Sequence, residues 1–139
     1  MAIYRKIIEL QSKQEDEMID VTSILNRVVL ESEIQDGFVL LFVPHTTAAI
    51  TINENADRDV KTDMLLGLSN TFQKDQSYRH FEGNSHAHIK SSTIGVSEYI
   101  LVQNNELLLG TWQGVYFMEF DGPRRRNLII QVQGEKNGN

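Results

Sequence analysis

Four histidines, His45, His80, His86 and His88, are the residues whose types and spacing best suit chemistry. Neutral imidazoles converging on one point make a metal site with an open position, and the metal lowers the pKa of water bound there. His86 and His88 lie two apart, and on a strand that spacing aims both rings at the same face. His45 follows a continuous apolar run, so a rigid backbone holds it in place. The plain alternative is a His-x-His pair solvated in a polar loop, and spacing alone leaves both readings open.

Carboxylates accompany these rings in sequence. Glu54 and Asp57 follow the segment after His45, and Glu82 falls between His80 and His86. A carboxylate can fix an imidazole tautomer, act as general base or ligate a metal. Asp57 reads better as support for a helix N-terminus, while Glu82 fits either a site or solvent. Arg124, Arg125 and Arg126 follow Gly122-Pro123. In a strand Arg124 and Arg126 share a face, and their guanidinium forks suit phosphate or carboxylate ligands. A solvated cluster protecting a strand edge is the alternative. The run Gly110-Thr111-Trp112-Gln113-Gly114 places glycines inside a strand pattern, a mark of close approach by backbone or ligand. There Trp112 reads as core or interface, and Gln113 as able to reach a ligand.

The elements that position these residues follow from hydrophobic periodicity. Residues 2–10 read as a strand, followed by a polar, acidic turn. Val21, Ile24, Leu25, Val28 and Val29 recur at helical spacing, with Asp20 or Thr22 as cap. Residues 38–43 are uniformly apolar, as suits a strand buried on both faces. Pro44 interrupts them and residues 46–52 resume an extended pattern, which predicts a bend or bulge beside His45. A second helix over 56–72 is capped by Asn55. Residues 73–95 read as a long polar loop carrying three of the four histidines, and such loops are often functional. Strands follow at 96–102, 107–120 and 127–133, with turns at Asn104-Asn105 and Asp121-Gly122-Pro123. The expected fold is α+β: one domain over residues 1–139, with mainly antiparallel or mixed sheets in a sandwich-like arrangement and about two helices.

The bulk composition narrows the classes. At 139 residues, 40% hydrophobic and 23% charged, the chain has the composition of one globular domain. A net charge of −6 argues against duplex nucleic acid as partner, and no aromatic platform accompanies the arginines. No cysteines are present, so a metal must be held by His, Asp, Glu or neutral oxygen. Zinc is the best fit among common divalent ions for nitrogen ligands. The first ten residues lack a signal peptide's apolar stretch and nothing approaches a membrane span, so the cytoplasm is expected. There is no glycine-rich phosphate loop, nucleotide fingerprint or serine elbow.

Residues 45–57 (HTTAAITINENAD), 78–92 (YRHFEGNSHAHIKSS), 109–114 (LGTWQG) and 119–126 (EFDGPRRR) together give a chain that resembles the YjbQ family. Its members are often labelled secondary thiamine-phosphate synthases. The likeness runs across nearly the whole chain. It implies a homotrimer of α+β subunits with a histidine pocket able to hold a metal. The family pattern carries over at His45, His80 and His88, and Glu82, Gln113 and the arginine run also match. His86 is the weaker candidate, since that place can hold a non-ligating residue. The label implies coupling of a pyrimidine diphosphate to a thiazole phosphate with loss of pyrophosphate, helped by cationic groups at the leaving group. The chain lacks the large barrel usually associated with that reaction. The apolar segments 38–43, 107–109 and 128–130 are numerous for one small domain to cover, in keeping with a trimer.

Two readings result. In the first, the chain is a metal-assisted enzyme acting on a phosphorylated or otherwise anionic small molecule, with Glu82 and Gln113 in catalysis and Arg124 and Arg126 on the anion. In the second, it is a non-catalytic trimer that holds a small ligand or a metal. A third, purely architectural trimer leaves the polar 73–95 segment without a role.

Overall fold

The computed structural model describes residues 1–137. Strand β1 (Ala2–Gln11) alternates half-buried and exposed residues along its length, and a four-residue strand β2 (Glu17–Asp20) follows it. Helix α1 (Thr22–Ser32) buries Leu25, Val28 and Val29, the positions that recur at helical spacing. Asp20 Oδ1 accepts from the Thr22 N–H at 2.9 Å, but the cap position belongs to Val21. Then come β3 (Asp36–Phe42), β4 (Ala48–Glu54), α2 (Arg58–Thr71), α3 (Ser85–Ile94), β5 (Ser97–Gln103), β6 (Glu106–Leu107), β7 (Gln113–Glu119) and β8 (Arg125–Glu135). Asp57, not Asn55, caps α2, accepting the Asp59 N–H at 2.9 Å.

The strands form two sheets, in the orders β1-β8-β3-β5-β6 and β2-β7-β4, and every pairing is antiparallel. They pack face to face, as expected for a sandwich-like α+β chain. One face of each sheet, with α1, builds the main core around Leu25, Val39, Leu41, Ile50, Phe117 and Ile130. The other face of the smaller sheet buries Ala49, Tyr116, Met118 and Phe120 against Ala87 of α3 and Met64, Leu65 and Leu68 of α2. The smaller sheet is therefore covered on both sides, and β7 is buried from Gly114 to Glu119.

Three expectations change. The segment 73–95 is not one loop, because α3 occupies Ser85–Ile94. Its buried residues are His86, Ala87, Lys90 and Ser91, so it lacks the apolar stripe by which a helix is read from sequence. The segment 107–120 is two strands in different sheets, β6 and β7, separated at residues 108–112. The acidic turn after β1 contains the edge strand β2.

Pro44 ends the apolar run as predicted, and residues 43–47 carry the chain from the larger sheet to the smaller one. Among the described residues nothing covers the outer face of the larger sheet, where Ile3, Ile7, Phe42, Tyr99 and Leu101 are exposed. Among the described residues, no helix is long and apolar enough to cross a membrane.

Candidate functional site

Four separate segments meet at one end of the sandwich. The sheet-crossing segment supplies His45, Thr46 and Thr47, and the entrance of β8 supplies Arg124 and Arg126. The loop before α3 supplies His80, Glu82 and Asn84, and α3 itself supplies His88. Together they line a cleft of about 400 Å³. A second hollow of about 430 Å³ shares His45, Thr46 and His88 and is walled by Ser91, Ser92, Gly95 and Val96. His45 and His88 thus stand between a charged compartment and a less polar one.

Arg126 is buried at the floor. Its Nε donates to Glu119 Oε1 at 2.9 Å, and its Nη2 donates to Glu119 Oε2 and to Thr47 Oγ1, the latter at 2.8 Å. Glu119 also accepts from Ser12 Oγ at 2.7 Å and from the Asp121 N–H at 3.0 Å. Burial alone would raise the Glu119 carboxyl pKa, but these donors outweigh it and hold the pKa below the ordinary range. Arg124 is half-exposed, donating through Nη2 to Asp121 Oδ2 at 2.7 Å. Asn84 Nδ2 donates to the same oxygen at 2.8 Å. Each arginine of the cleft is therefore backed by a carboxylate, and neither donates through Nη1 within the described residues. Arg125 points away, as the alternation predicts, to pair with Glu9 at 3.3 Å. Gly122 permits this turn: a Cβ there would lie 2.1 Å from the Gln14 carbonyl oxygen.

His45 Nε2 accepts the Asn127 backbone N–H at 2.9 Å. The neutral ring then carries its proton on Nδ1, leaving an N–H donor for a ligand. Burial, and next the nearby Arg126 guanidinium, lower the His45 pKa and keep the ring neutral. His80 and His88 stand edge to face with ring centroids 5.4 Å apart. Two imidazoles on one tetrahedral ion place their centroids about 5 Å apart, a separation close to the one seen here. His45 does not join them in this geometry, because its one lone pair faces Asn127. Among the described residues, no three His, Asp or Glu side chains are grouped to hold an ion.

His86 lies elsewhere. On a helix, residues two apart point about 200° apart, so the shared face expected on a strand does not exist. His86 is buried beside Asp16 and Lys90 in a separate cavity on the far side of α3. Gln113 also lies apart, pairing with Glu54 at the end of β7 and β4 opposite to the one where Glu119 pairs with Ala48. Six residues of strand separate the two ends, roughly 20 Å at about 3.3 Å per residue. Gln113 Oε1 accepts the Gly110 N–H at 2.8 Å, and Trp112 beside it is exposed, not core. Glu82 is exposed on the cleft wall. Sequence reasoning missed Asn84, Thr47 and Glu119. Glu119 sits seven residues before its partner, across a turn joining two sheets, which periodicity does not reveal.

Residues 6–135 match the family described as UPF0047 protein YjbQ-like. The UPF0047 protein YugU of Bacillus subtilis is 48% identical over 130 residues, covering 93% of this chain and 98% of its own. A UPF0047 protein of Methanocaldococcus jannaschii is 46% identical, covering 92% and 93%. Among solved structures, an uncharacterized YjbQ/UPF0047 protein of Clostridium acetobutylicum superposes with a TM-score of 0.90 at 49% identity, covering 92% and 99%. A protein of unknown function from Sulfolobus solfataricus superposes at 0.93 with 31% identity, covering 96% and 99%.

Proposed function

The chain belongs to the YjbQ-like UPF0047 family, and we propose that its histidine cleft is the active site of a metal-assisted enzyme acting on a small phosphorylated molecule. The observation that carries this reading is the convergence of His45, His80, His88, Arg124 and Arg126, from four separate segments, on one cleft. The unspent guanidinium edges of Arg124 and Arg126 are donors for phosphoryl oxygens. The Asn127 N–H on His45 Nε2 keeps the ring's proton on Nδ1, from where it can donate to a leaving oxygen. His80 and His88 would hold a divalent ion, best zinc, which would take up charge on a phosphoryl oxygen. The hollow walled by Gly95 and Val96 suits the less polar body of the same substrate.

In its finest form, the reaction is thiamine-phosphate synthesis. The methylene carbon borne by the pyrimidine loses its bond to the diphosphate oxygen, which departs with the electron pair, and the thiazole nitrogen forms the new bond to that carbon with its lone pair. The cationic groups stabilise the departing pyrophosphate. The active form is a homotrimer, supported by the uncovered apolar face of the larger sheet.

The test is pyrophosphate release from a pyrimidine diphosphate and a thiazole phosphate by the purified chain with zinc. Release should fall about a hundredfold or more in His45→Ala. If the chain releases neither phosphate nor pyrophosphate from a panel of phosphorylated compounds that it binds, the catalytic reading fails and a binding role replaces it.

A further inference from the structure

On the far side of α3 lies a cavity of about 330 Å³ lined by Glu15, Asp16, Ser69, Lys74, His86 and Lys90, among others. Lys90 is 2% exposed, a rare burial for an ammonium group. Its Nζ donates to Ser69 Oγ at 3.1 Å, pairs with Asp16 Oδ2 at 3.4 Å and lies 5.6 Å from the centre of the Phe120 ring. Two of its three N–H groups are thereby engaged. Ser69 Oγ donates to the same Asp16 oxygen at 3.2 Å. At the mouth, Lys74 pairs with Glu15 at 3.0 Å.

Among the described residues, three buried side-chain polar atoms lack a hydrogen-bond partner, and two of them, Asp16 Oδ1 and His86 Nδ1, belong to residues lining this cavity. His86 is 5% exposed, so its ring is walled in by the fold and still has an unpaired nitrogen. Orphaned buried polar atoms are costly, and two around one hollow point to a partner from outside the chain.

The chemistry of that partner follows from the groups. Asp16 Oδ1 accepts only, so the partner must donate. The remaining Lys90 N–H donates only, so the partner must also accept. His86 Nδ1 does either, according to tautomer. The charges balance within the wall, Asp16 against Lys90 and Glu15 against Lys74. An anion would meet two carboxylates, and a cation two ammonium groups. A hydroxyl both donates and accepts and carries no charge. We propose that this cavity is a second binding site, separate from the histidine cleft, for a neutral polyhydroxylated molecule with adjacent hydroxyls of the sugar type. One hydroxyl bridges Asp16 Oδ1 and Lys90, and its neighbour meets His86 Nδ1.

The test is a titration of the full chain with D-ribose, and separately with inorganic phosphate, followed by NMR of the histidine and lysine side chains. Ribose should move the His86 and Lys90 signals saturably, with a Kd of about 1–10 mM, and leave His80 and His88 in place. His86→Leu breaks no hydrogen bond of the fold and should weaken binding about tenfold or more. Asp16→Asn should do the same, and His86→Leu suffices if that variant does not fold. The proposal is overturned if ribose leaves His86 unmoved, if it binds wild type and His86→Leu equally, or if phosphate moves His86 as strongly as ribose does.

Discussion

Asn127 donates its backbone N–H to His45 Nε2 at 2.9 Å, so a strand entrance fixes the tautomer of a ring carried by a different sheet crossing. That bond decides what His45 can do. It makes the ring a hydrogen-bond donor through Nδ1 and withdraws it from metal ligation. Nitrogen-15 NMR should report the Nδ1–H tautomer for His45, and a dominant Nε2–H signal would contradict the geometry.

Burial of the same ring, and next the Arg126 guanidinium beside it, set a pH dependence. The folded His45 pKa lies below the unfolded value of about 6.5, so above that pH both states are neutral and stability is level. As pH falls from about 6.5 through the lower folded value, the unfolded chain takes up a proton that the fold resists, and stability declines. His45→Gln should remove this component, seen as a flatter melting temperature between about pH 6.5 and 5.

Breaking the buried Arg126–Glu119 pair should cost about 3–5 kcal/mol, because Arg126→Ala leaves a buried carboxylate without its main partner. Urea unfolding of the variant measures this. Glu119 adds an acid limit of its own. Its folded pKa is depressed, so its contribution is present above the unfolded value of about 4.3 and is lost as pH falls through the folded one.

His80→Ala and His88→Ala should separate binding from folding. His80 is exposed and His88 half-buried, and neither ring takes part in a hydrogen bond that holds the fold. Unfolding free energies should stay within about 0.5–1 kcal/mol of wild type. Zinc affinity, read by calorimetry, should drop about tenfold or more in each. Unchanged zinc binding in both variants would remove the pair as the metal's holders.

Tyr99→Lys should dissociate the proposed trimer. Tyr99 is 66% exposed beside Leu101 on the open face of the larger sheet, and its ring lies 5.5 Å from that of Phe38. A charge placed there disfavours burial against a second copy. Sedimentation equilibrium should shift from trimer to monomer mass. A wild-type chain that is monomeric at micromolar concentration would overturn the assembly.

Much of this architecture was legible from residue spacing. Val21 to Val29 announced α1, and Pro44 announced the break that aims His45. The α3 helix stayed hidden because it buries polar residues, His86 and Lys90 among them, and the partners of Lys90 come from α2 and the segment after β1. The grouping of His45, His80 and His88 came from resemblance, since their separation along the chain carries no periodic signal. The same resemblance joined Gln113 to the set, although within one chain the strand places it at the opposite end. The carboxylates backing Arg124 and Arg126 went unread because those pairings depend on how the turn at 121–123 folds, not on any pattern along the chain.

The cleft draws its groups from two kinds of backbone. His45 and Arg126 are set by strands rooted in the core, while His80 and Glu82 sit on an exposed loop that supports little else. Replacing a loop residue therefore leaves stability nearly untouched, whereas replacing Arg126 risks the whole molecule. The loop half of the cleft can thus be altered while the fold stays intact. The half built on Arg126 and His45 cannot be changed without touching the contacts that hold the two sheets together.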